Sequence, residues 1–116
     1  MSGGWIGIDL DGTLAEYHGW KGIHHIGAPI PAMVKRVKRY LRDGHDVRCF
    51  TARVHNDSHA AMYVRQWLDE QGLHHMGQTC VKDRDMILLI DDRAVRAQKN
   101  TGKLLNRVVM GKPCRR

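Results

Sequence analysis

The stretch from Ile6 to Leu14 reads Ile-Gly-Ile-Asp-Leu-Asp-Gly-Thr-Leu and constrains the fold more than any other part of the chain. Its apolar start suits a buried β-strand. Side chains two positions apart on a strand share one face, so Asp9 and Asp11 can point the same way where the strand ends. Two converging carboxylates repel each other unless a cation lies between them, and hard oxygen ligands suit Mg²⁺. A simple polar turn would explain Asp11 and Gly12 but not Asp9.

Length and composition indicate one ordinary domain that covers residues 1–116, since 116 residues are too few for two domains. No apolar run approaches the ~20 residues that span a membrane. The N-terminus lacks the basic and apolar regions of a secretory signal. The three cysteines, at 49, 80 and 114, suggest neither a disulfide framework nor a metal-binding pair. We therefore expect a cytoplasmic protein with no membrane partner.

The chain is basic, with a formal net charge of +7 at pH 7. A basic balance favours anionic partners such as nucleotides, nucleic acid or phosphorylated small molecules. Basic residues that only keep the surface solvated would give the same balance, so both interpretations stay open. The sequence is compatible with an oligomer but does not specify one.

Hydrophobic periodicity predicts strands that alternate with helices. We predict strands at 5–10, 46–51, 77–81, 86–90, 95–98 and 107–110, and helices that run from Pro31 to a cap at Gly44 and from an N-cap at 56–58 to Gly72. Residues 15–30 lack helical periodicity and are expected to form a loop or small flap. This order implies a mainly parallel sheet with helices on both faces. Ligands then bind beyond the carboxyl ends of the strands.

Four motifs at those strand ends and loops together resemble the haloacid dehalogenase (HAD) superfamily of phosphotransferases. They are Asp-Leu-Asp-Gly-Thr at 9–13, Phe-Thr-Ala-Arg at 50–53, Val-Lys-Asp at 81–83 and Ile-Asp-Asp at 90–92. The resemblance spans residue 6 to about residue 92 and implies a three-layer, Rossmann-like α/β fold. The two segments where this family inserts cap domains are short here. We therefore expect a small member with no cap domain and only a short flap.

The resemblance implies a Mg²⁺-dependent phosphomonoesterase that works through an aspartyl-phosphate. Asp9 would attack phosphorus, as carboxylate nucleophiles do. Asp11 would protonate the leaving group and then activate water. Thr51 would hold a phosphoryl oxygen, and Lys82 would stabilise the charge on the transferring group.

Four aspartates form the expected magnesium site: Asp9, Asp11, Asp91 and Asp92. Asp91 ends an apolar strand, where an uncompensated charge would be costly and a metal would remove the cost. The resemblance implies that Asp11 contributes its main-chain carbonyl. The role of Asp92 stays open. It could bind the metal directly, bind it through a water molecule, or hold the other ligands in position. The adjacent histidine pairs do not favour zinc, because their side chains diverge and no thiol stands at a matching spacing.

Residues of the first loop and of the predicted flap are candidates for substrate binding. Gly12 permits a sharp turn whose amides can hold phosphoryl oxygens. Arg53 could bind phosphate or pair with a carboxylate. Trp20 and Lys21 could stack a base and hold phosphate, although Trp20 could equally anchor the flap. An open, capless site favours large or terminal phosphates, such as nucleotides or nucleic-acid ends.

Two other functions are compatible with these motifs. One is a non-catalytic binding or regulatory protein on the same fold, and the other is a different HAD phosphotransferase, such as a phosphomutase. Asp11 favours the phosphatase, because it supplies the proton for the leaving group and then activates water.

Overall fold

The computed structural model describes residues 3–106 and shows an α/β fold with a four-stranded, all-parallel sheet. Its elements are β1 (Trp5–Asp9), α1 (Pro31–Arg42), β2 (Asp46–Phe50), α2 (Ser58–Glu70), β3 (Gly77–Thr79) and β4 (Met86–Ile90), with a short 3-10 turn at Ala52–Val54. The strand order is β3-β2-β1-β4, which places β1 and β2 at the centre of the sheet. The predicted α/β class and parallel sheet are confirmed.

The ends of both helices follow from local chemistry that the sequence displays. Pro31 occupies the first turn of α1, where its missing N–H costs nothing. Gly44 follows that helix with φ +91°, a left-handed conformation that glycine adopts without strain. Asp57 caps α2, because its carboxylate accepts the N–H of Ala60 at 3.0 Å. Gly72, with φ +76°, lies just beyond the end of α2. The predicted helix ends are confirmed at these positions.

Both helices pack on the same face of the sheet. Side chains alternate between the faces of a strand, and alternate residues of β1 and β2 share one hydrophobic cluster with both helices. The members on these four elements are Ile6, Ile8, Val34, Val37, Val47, Cys49, Val64, Trp67 and Leu68. A single cluster therefore joins the centre of the sheet to both helices.

The prediction of helices on both faces is not confirmed in residues 3–106. The connections from β1 to β2 and from β2 to β3 step in one direction across the sheet. Right-handed crossovers that step in one direction put their helices on one side. The return from β3 to β4 runs through residues 80–85, which contain no helix.

The other face of the sheet carries an aromatic and cationic stack around Trp5. The Trp5 ring lies 6.3 Å from the ring of Phe50, and the guanidinium of Arg48 lies 4.7 Å from the Trp5 ring centre. The indole N–H donates to Asp83 at 2.8 Å. These contacts bury Trp5 at the end of the sheet opposite to the carboxyl ends of the strands.

Residues 15–30 form a flap that is closed at its base. The N–H of Glu16 donates to the carbonyl of Ala28, and the N–H of Ile30 donates to the carbonyl of Leu14, each at 2.8 Å. The indole of Trp67 on α2 donates to the carbonyl of Gly27 at 3.0 Å. The flap is therefore tied to the first loop and to α2, and its tip is left outside the core.

Two predicted strands near the C-terminus differ in outcome. The strand predicted at 95–98 is reduced to an isolated bridge between Ala97 and Leu104, because few backbone hydrogen bonds continue the pairing. The strand predicted at 107–110 lies outside the described residues. Between residues 3 and 106, neither helix combines the length and the apolar character that crossing a membrane requires.

Candidate functional site

Three parallel strands end side by side at one edge of the sheet. The register pairs Asp9 with Phe50, and Ile8 with Ile90. The residues that directly follow β1, β2 and β4 therefore lie close together at the same edge. They open into a cavity of about 350 Å³, a size common for small-molecule sites. The cavity is lined by Asp9, Asp11, Tyr17, Trp20, Thr51, Ala52, Arg53, Asp91 and Arg93. Most of the predicted site residues therefore meet at one place.

Three carboxylates converge at the floor of this edge. Asp9, Asp91 and Asp92 each offer an oxygen, and these oxygens lie within 4.8 Å of one another. Oxygens on opposite sides of Mg²⁺ stand about 4.2 Å apart, since each Mg–O distance is about 2.1 Å. The all-oxygen donor set suits a small hard cation, and the oxygens lie close to the separation that Mg²⁺ requires.

These carboxylates repel one another unless a cation lies between them. The pKa of Asp9 is raised to about 7 by burial first, then by its hydrogen bond with Asp92 and by the negative charges of Asp91 and Asp92. The hydroxyl of Thr13 lowers it only in part. Burial would also raise the pKa of Asp92, but hydrogen bonds from Asp9 and Thr13 outweigh it and the pKa is lowered. A cation would relieve this repulsion, which supports the fit.

Thr13 fixes the relative positions of two of these carboxylates. Its hydroxyl lies 3.0 Å from Asp92 Oδ1 and 3.3 Å from Asp9 Oδ2, and it accepts the N–H of Asp92 at 3.0 Å. The side chain is buried. Thr13 therefore braces the loop after β1 against the loop after β4.

Gly12 lets these two loops approach closely. A Cβ at this position would lie 2.5 Å from Asp92 Oδ2, and φ is +91°, so a larger residue would both clash and be strained. The N–H of Gly12 donates to the carbonyl of Ala15 at 2.8 Å. The expected contact between the Gly12 amide and a phosphoryl oxygen stays a prediction, and in the structure Gly12 makes room for Asp92.

Arg53 pairs with Asp11 in a two-pronged ion pair. Nε lies 2.8 Å from Oδ2 of Asp11, and Nη2 lies 2.9 Å from Oδ1. Nη1 donates to the carbonyl of Ile23 in the flap at 3.4 Å, and the Arg53 side chain is only 6% exposed. The sequence left Arg53 open between a phosphate and a carboxylate. The structure places it on a carboxylate, and its contact with substrate stays a prediction.

The same ion pair separates Asp11 from the three converging carboxylates. The carboxylate of Asp11 faces Arg53 and, among the described residues, is not part of the group formed by Asp9, Asp91 and Asp92. A carboxylate oxygen has two lone pairs, so each Asp11 oxygen can still contact a second donor in the cavity. The two aspartates of the first motif thus occupy different environments.

Thr51 lies at the back of the cavity and is only 3% exposed. Its hydroxyl accepts the N–H of Arg53 at 3.2 Å, and its own N–H donates to the carbonyl of Thr79 at 2.9 Å. A hydroxyl also has one proton to donate, and within residues 3–106 no acceptor takes it. Thr51 can therefore donate to an oxygen placed in the cavity.

The cations around the site are arranged differently from the prediction. Lys82 is exposed and lines a neighbouring cavity of about 540 Å³, which shares Asp91 with the site. Lys21 is exposed in the flap and does not line the site cavity. Arg93 does line it, and its N–H donates to Asp91 Oδ1 at 2.7 Å. The sequence prediction did not include Arg93; its position directly after the paired aspartates was the available signal.

Trp20 and Tyr17 form the aromatic part of the cavity wall. The sequence allowed Trp20 to be either a base-stacking residue or a buried anchor of the flap. Trp20 is 58% exposed and lines the cavity, so it is not a buried anchor. The guanidinium of Arg53 lies 4.8 Å from the centre of the Trp20 ring. Ile26 packs against the core and, with the Trp67 contact, fixes the flap instead.

Comparisons with known proteins show the fold alone. No protein-family model matches the chain, and no curated protein matches it. The solved structure of a conserved protein from Bacteroides thetaiotaomicron matches with a TM-score of 0.61 and 23% identity, over 78% of this chain and 77% of that chain. The likeness supports the Rossmann-like α/β architecture described above.

Proposed function

We propose that the protein is a Mg²⁺-dependent phosphomonoesterase that forms an aspartyl-phosphate on Asp9, a small capless member of the three-layer HAD type. One observation carries the proposal. Asp9 belongs to the three converging carboxylates and also lines the cavity, while Asp11, two residues later, is held apart from them by Arg53. A nucleophile beside a cation and a separately held acid are the two parts that this chemistry needs.

The metal would be held by the carboxylates of Asp9, Asp91 and Asp92. The resemblance adds the main-chain carbonyl of Asp11. When bound, Mg²⁺ supplies positive charge that neutralises the carboxylates and the phosphoryl oxygens. This role agrees with the raised pKa of Asp9, which reports uncompensated negative charge at the site.

In the first step an oxygen of Asp9 attacks phosphorus, and the bond from phosphorus to the leaving oxygen breaks. The leaving oxygen takes a proton from the Asp11 carboxyl group, and the carboxylate that remains is the form that pairs with Arg53. In the second step Asp11 accepts a proton from water, the water oxygen attacks phosphorus, and the bond to Asp9 breaks. The products are the alcohol of the ester and inorganic phosphate. Asp9 returns to its free carboxylate and Asp11 to its protonated form, so one general acid–base group serves both steps.

Two side chains in the cavity are suited to the phosphoryl oxygens. Thr51 has a hydroxyl proton to donate, and Arg93 brings a guanidinium that can bind two oxygens at once. The resemblance assigns the cationic role to Lys82. The position of Arg93 in the site cavity supports giving Arg93 the larger part of it.

The substrate in this proposal is a terminal or exposed phosphate, such as that of a nucleotide or a nucleic-acid end. The net charge of +7 supports an anionic substrate. No inserted domain interrupts residues 15–30 or the segment between β2 and β3, where the structure has the flap and α2. An open site of this kind can admit a large molecule.

The test is hydrolysis of an aryl phosphate with Mg²⁺, with a chelator, and with the variant Asp9→Asn. We expect activity that needs Mg²⁺ and is abolished in Asp9→Asn, and a phosphate label that denatured wild-type protein retains after a rapid quench. Asp43→Asn is the matched control, because Asp43 is exposed beyond α1 and does not line the cavity. Activity that survives Asp9→Asn or ignores the chelator would overturn the mechanism.

The same assay separates the other functions. Mg²⁺ binding without turnover of any phosphate ester would indicate a binding protein on this fold. Transfer of the label to a second site of the substrate, in place of release to water, would indicate a phosphomutase.

A further inference from the structure

We infer that Trp20 and Arg53 form a platform that binds the base of a nucleoside phosphate, with the phosphate directed to Asp9. The inference rests on the proposed function, because it assigns the substrate class of the same site. It starts from the contrast between the three tryptophans of the chain. Trp5 and Trp67 are 1% and 7% exposed, whereas Trp20 is 58% exposed. Large aromatic side chains are usually buried, so an exposed tryptophan that lines the cavity beside Asp9 and Asp11 needs a reason.

One face of the Trp20 ring rests on the guanidinium of Arg53. The guanidinium of Arg53 lies 4.8 Å from the ring centre, and Arg53 is itself fixed by hydrogen bonds to Asp11 and to the carbonyl of Ile23. Because one face of the ring rests on a buried, fixed group, the exposed area belongs to the other face and the edges. A planar ring can stack on that open face without moving the ring below it.

The platform and the reacting carboxylate belong to one cavity. Trp20 and Tyr17 line it together with Asp9 and Thr51, and Arg53 contacts both the Trp20 ring and Asp11. A ligand that reaches Asp9 with its phosphate therefore has its other end beside the aromatic wall. Stacking on an aromatic ring suits every nucleobase, since each has a π-face. The basic charge of the chain suits the phosphate at the other end.

The test compares two probes that share a sugar and a phosphate and differ in the base, adenosine 5′-monophosphate and ribose 5-phosphate. We expect the wild-type kcat/KM for the nucleotide to exceed that for the sugar phosphate by about tenfold or more, the size of one base–aromatic stack. Trp20→Ala should bring this ratio close to one, and Trp20→Phe should keep most of it. His18→Ala is the control within the flap, because His18 is exposed and pairs with Glu16, and it should leave the ratio as in the wild type. An equal ratio in the wild type and in Trp20→Ala would overturn the inference.

A binding measurement keeps this inference separate from the proposed function. In Asp9→Asn, which cannot turn over, adenosine 5′-monophosphate should quench tryptophan fluorescence, because the two buried tryptophans are shielded and Trp20 is not. Trp20→Phe in the same background should abolish the quenching, and ribose 5-phosphate should cause none. Quenching in a protein that hydrolyses no ester supports the platform while the proposed function fails. Hydrolysis without quenching would support the proposed function and overturn the platform.

Discussion

Arg53 and Asp11 lie forty-two residues apart in the chain and are joined by two hydrogen bonds of 2.8 and 2.9 Å. The pair links the loop after β1 to the turn after β2. It orients the Asp11 carboxylate through both of its oxygens, which a single donor could not do.

We expect Arg53→Lys to lower kcat by about ten- to a hundredfold with a smaller change in KM, because a misplaced acid–base group costs rate more than binding. Lysine offers one compact charge in place of the two-pronged contact. Steady-state kinetics on an aryl phosphate measure both constants, with Arg36→Lys on the exposed side of α1 as the control. A rise in KM with unchanged kcat would instead show that Arg53 binds substrate.

Gly12 and Gly44 share the same backbone angle, φ +91°, but have different surroundings. A Cβ at Gly44 would meet nothing within 4 Å, whereas a Cβ at Gly12 would lie 2.5 Å from Asp92 Oδ2. Both alanine variants should lose about 1–2 kcal/mol of unfolding free energy from the left-handed backbone. Gly12→Ala should also displace Asp92 and weaken Mg²⁺ binding by about tenfold or more.

Urea unfolding measures the stability of the two alanine variants, and calorimetric titration measures their affinity for Mg²⁺. Gly44→Ala isolates the backbone strain, since its site of substitution is open. Equal Mg²⁺ affinity in the two variants would show that Asp92 tolerates the displacement, and would count against its role at the metal.

The raised pKa of Asp9 predicts how pH changes stability. The folded protein holds a proton on Asp9 up to about pH 7, whereas an unfolded aspartate releases it near the ordinary aspartate pKa of 3.8. The contribution of Asp9 to stability is therefore fully present below that lower value and is lost as pH rises through about 7. The melting temperature of the metal-free protein should fall over this range, and Asp9→Asn should remove that part of the fall.

Magnesium should reverse this pH dependence. Binding requires the ionised carboxylate, so Mg²⁺ should raise the melting temperature more at about pH 8 than at about pH 5. Near pH 6, binding should release up to about one proton, which calorimetry in two buffers of different ionisation enthalpy detects. Binding that releases no proton in the wild type would contradict the shifted pKa of Asp9.

Much of the fold could be predicted from short-range patterns. The apolar run at 86–90 is β4 residue for residue, and Pro31, Asp57 and the two capping glycines mark the helix ends. These signals are local, because a cap or an apolar strand depends on neighbours in the sequence. Which face of the sheet each helix covers depends on strand order, which periodicity does not contain.

The site shows the same division. Asp9, Thr51 and Asp91 could be placed together because parallel strands end at a common edge. The sequence could not predict the partner of Arg53 or the open face of Trp20, because both depend on how the flap lies against the turn after β2. Whether Lys82 or Arg93 faces the cavity also depends on the paths of the two loops that carry them.

Arg93 and Lys82 give the last prediction, because they compete for one role. Arg93 lines the cavity with Asp9 and Thr51, and Lys82 lines the neighbouring one. If Arg93 stabilises the transferring phosphoryl group, Arg93→Ala should lower kcat/KM by about a hundredfold, the effect of removing one strong donor to a developing charge. Lys82→Ala should then lower it by about tenfold or less, since a charge near the site acts through a longer distance. Arg93→Lys should recover part of the activity, because it restores charge but not the second hydrogen bond. A larger loss in Lys82→Ala than in Arg93→Ala would show that the loop between β3 and β4 brings Lys82 to the phosphate when substrate binds, as the HAD resemblance implies.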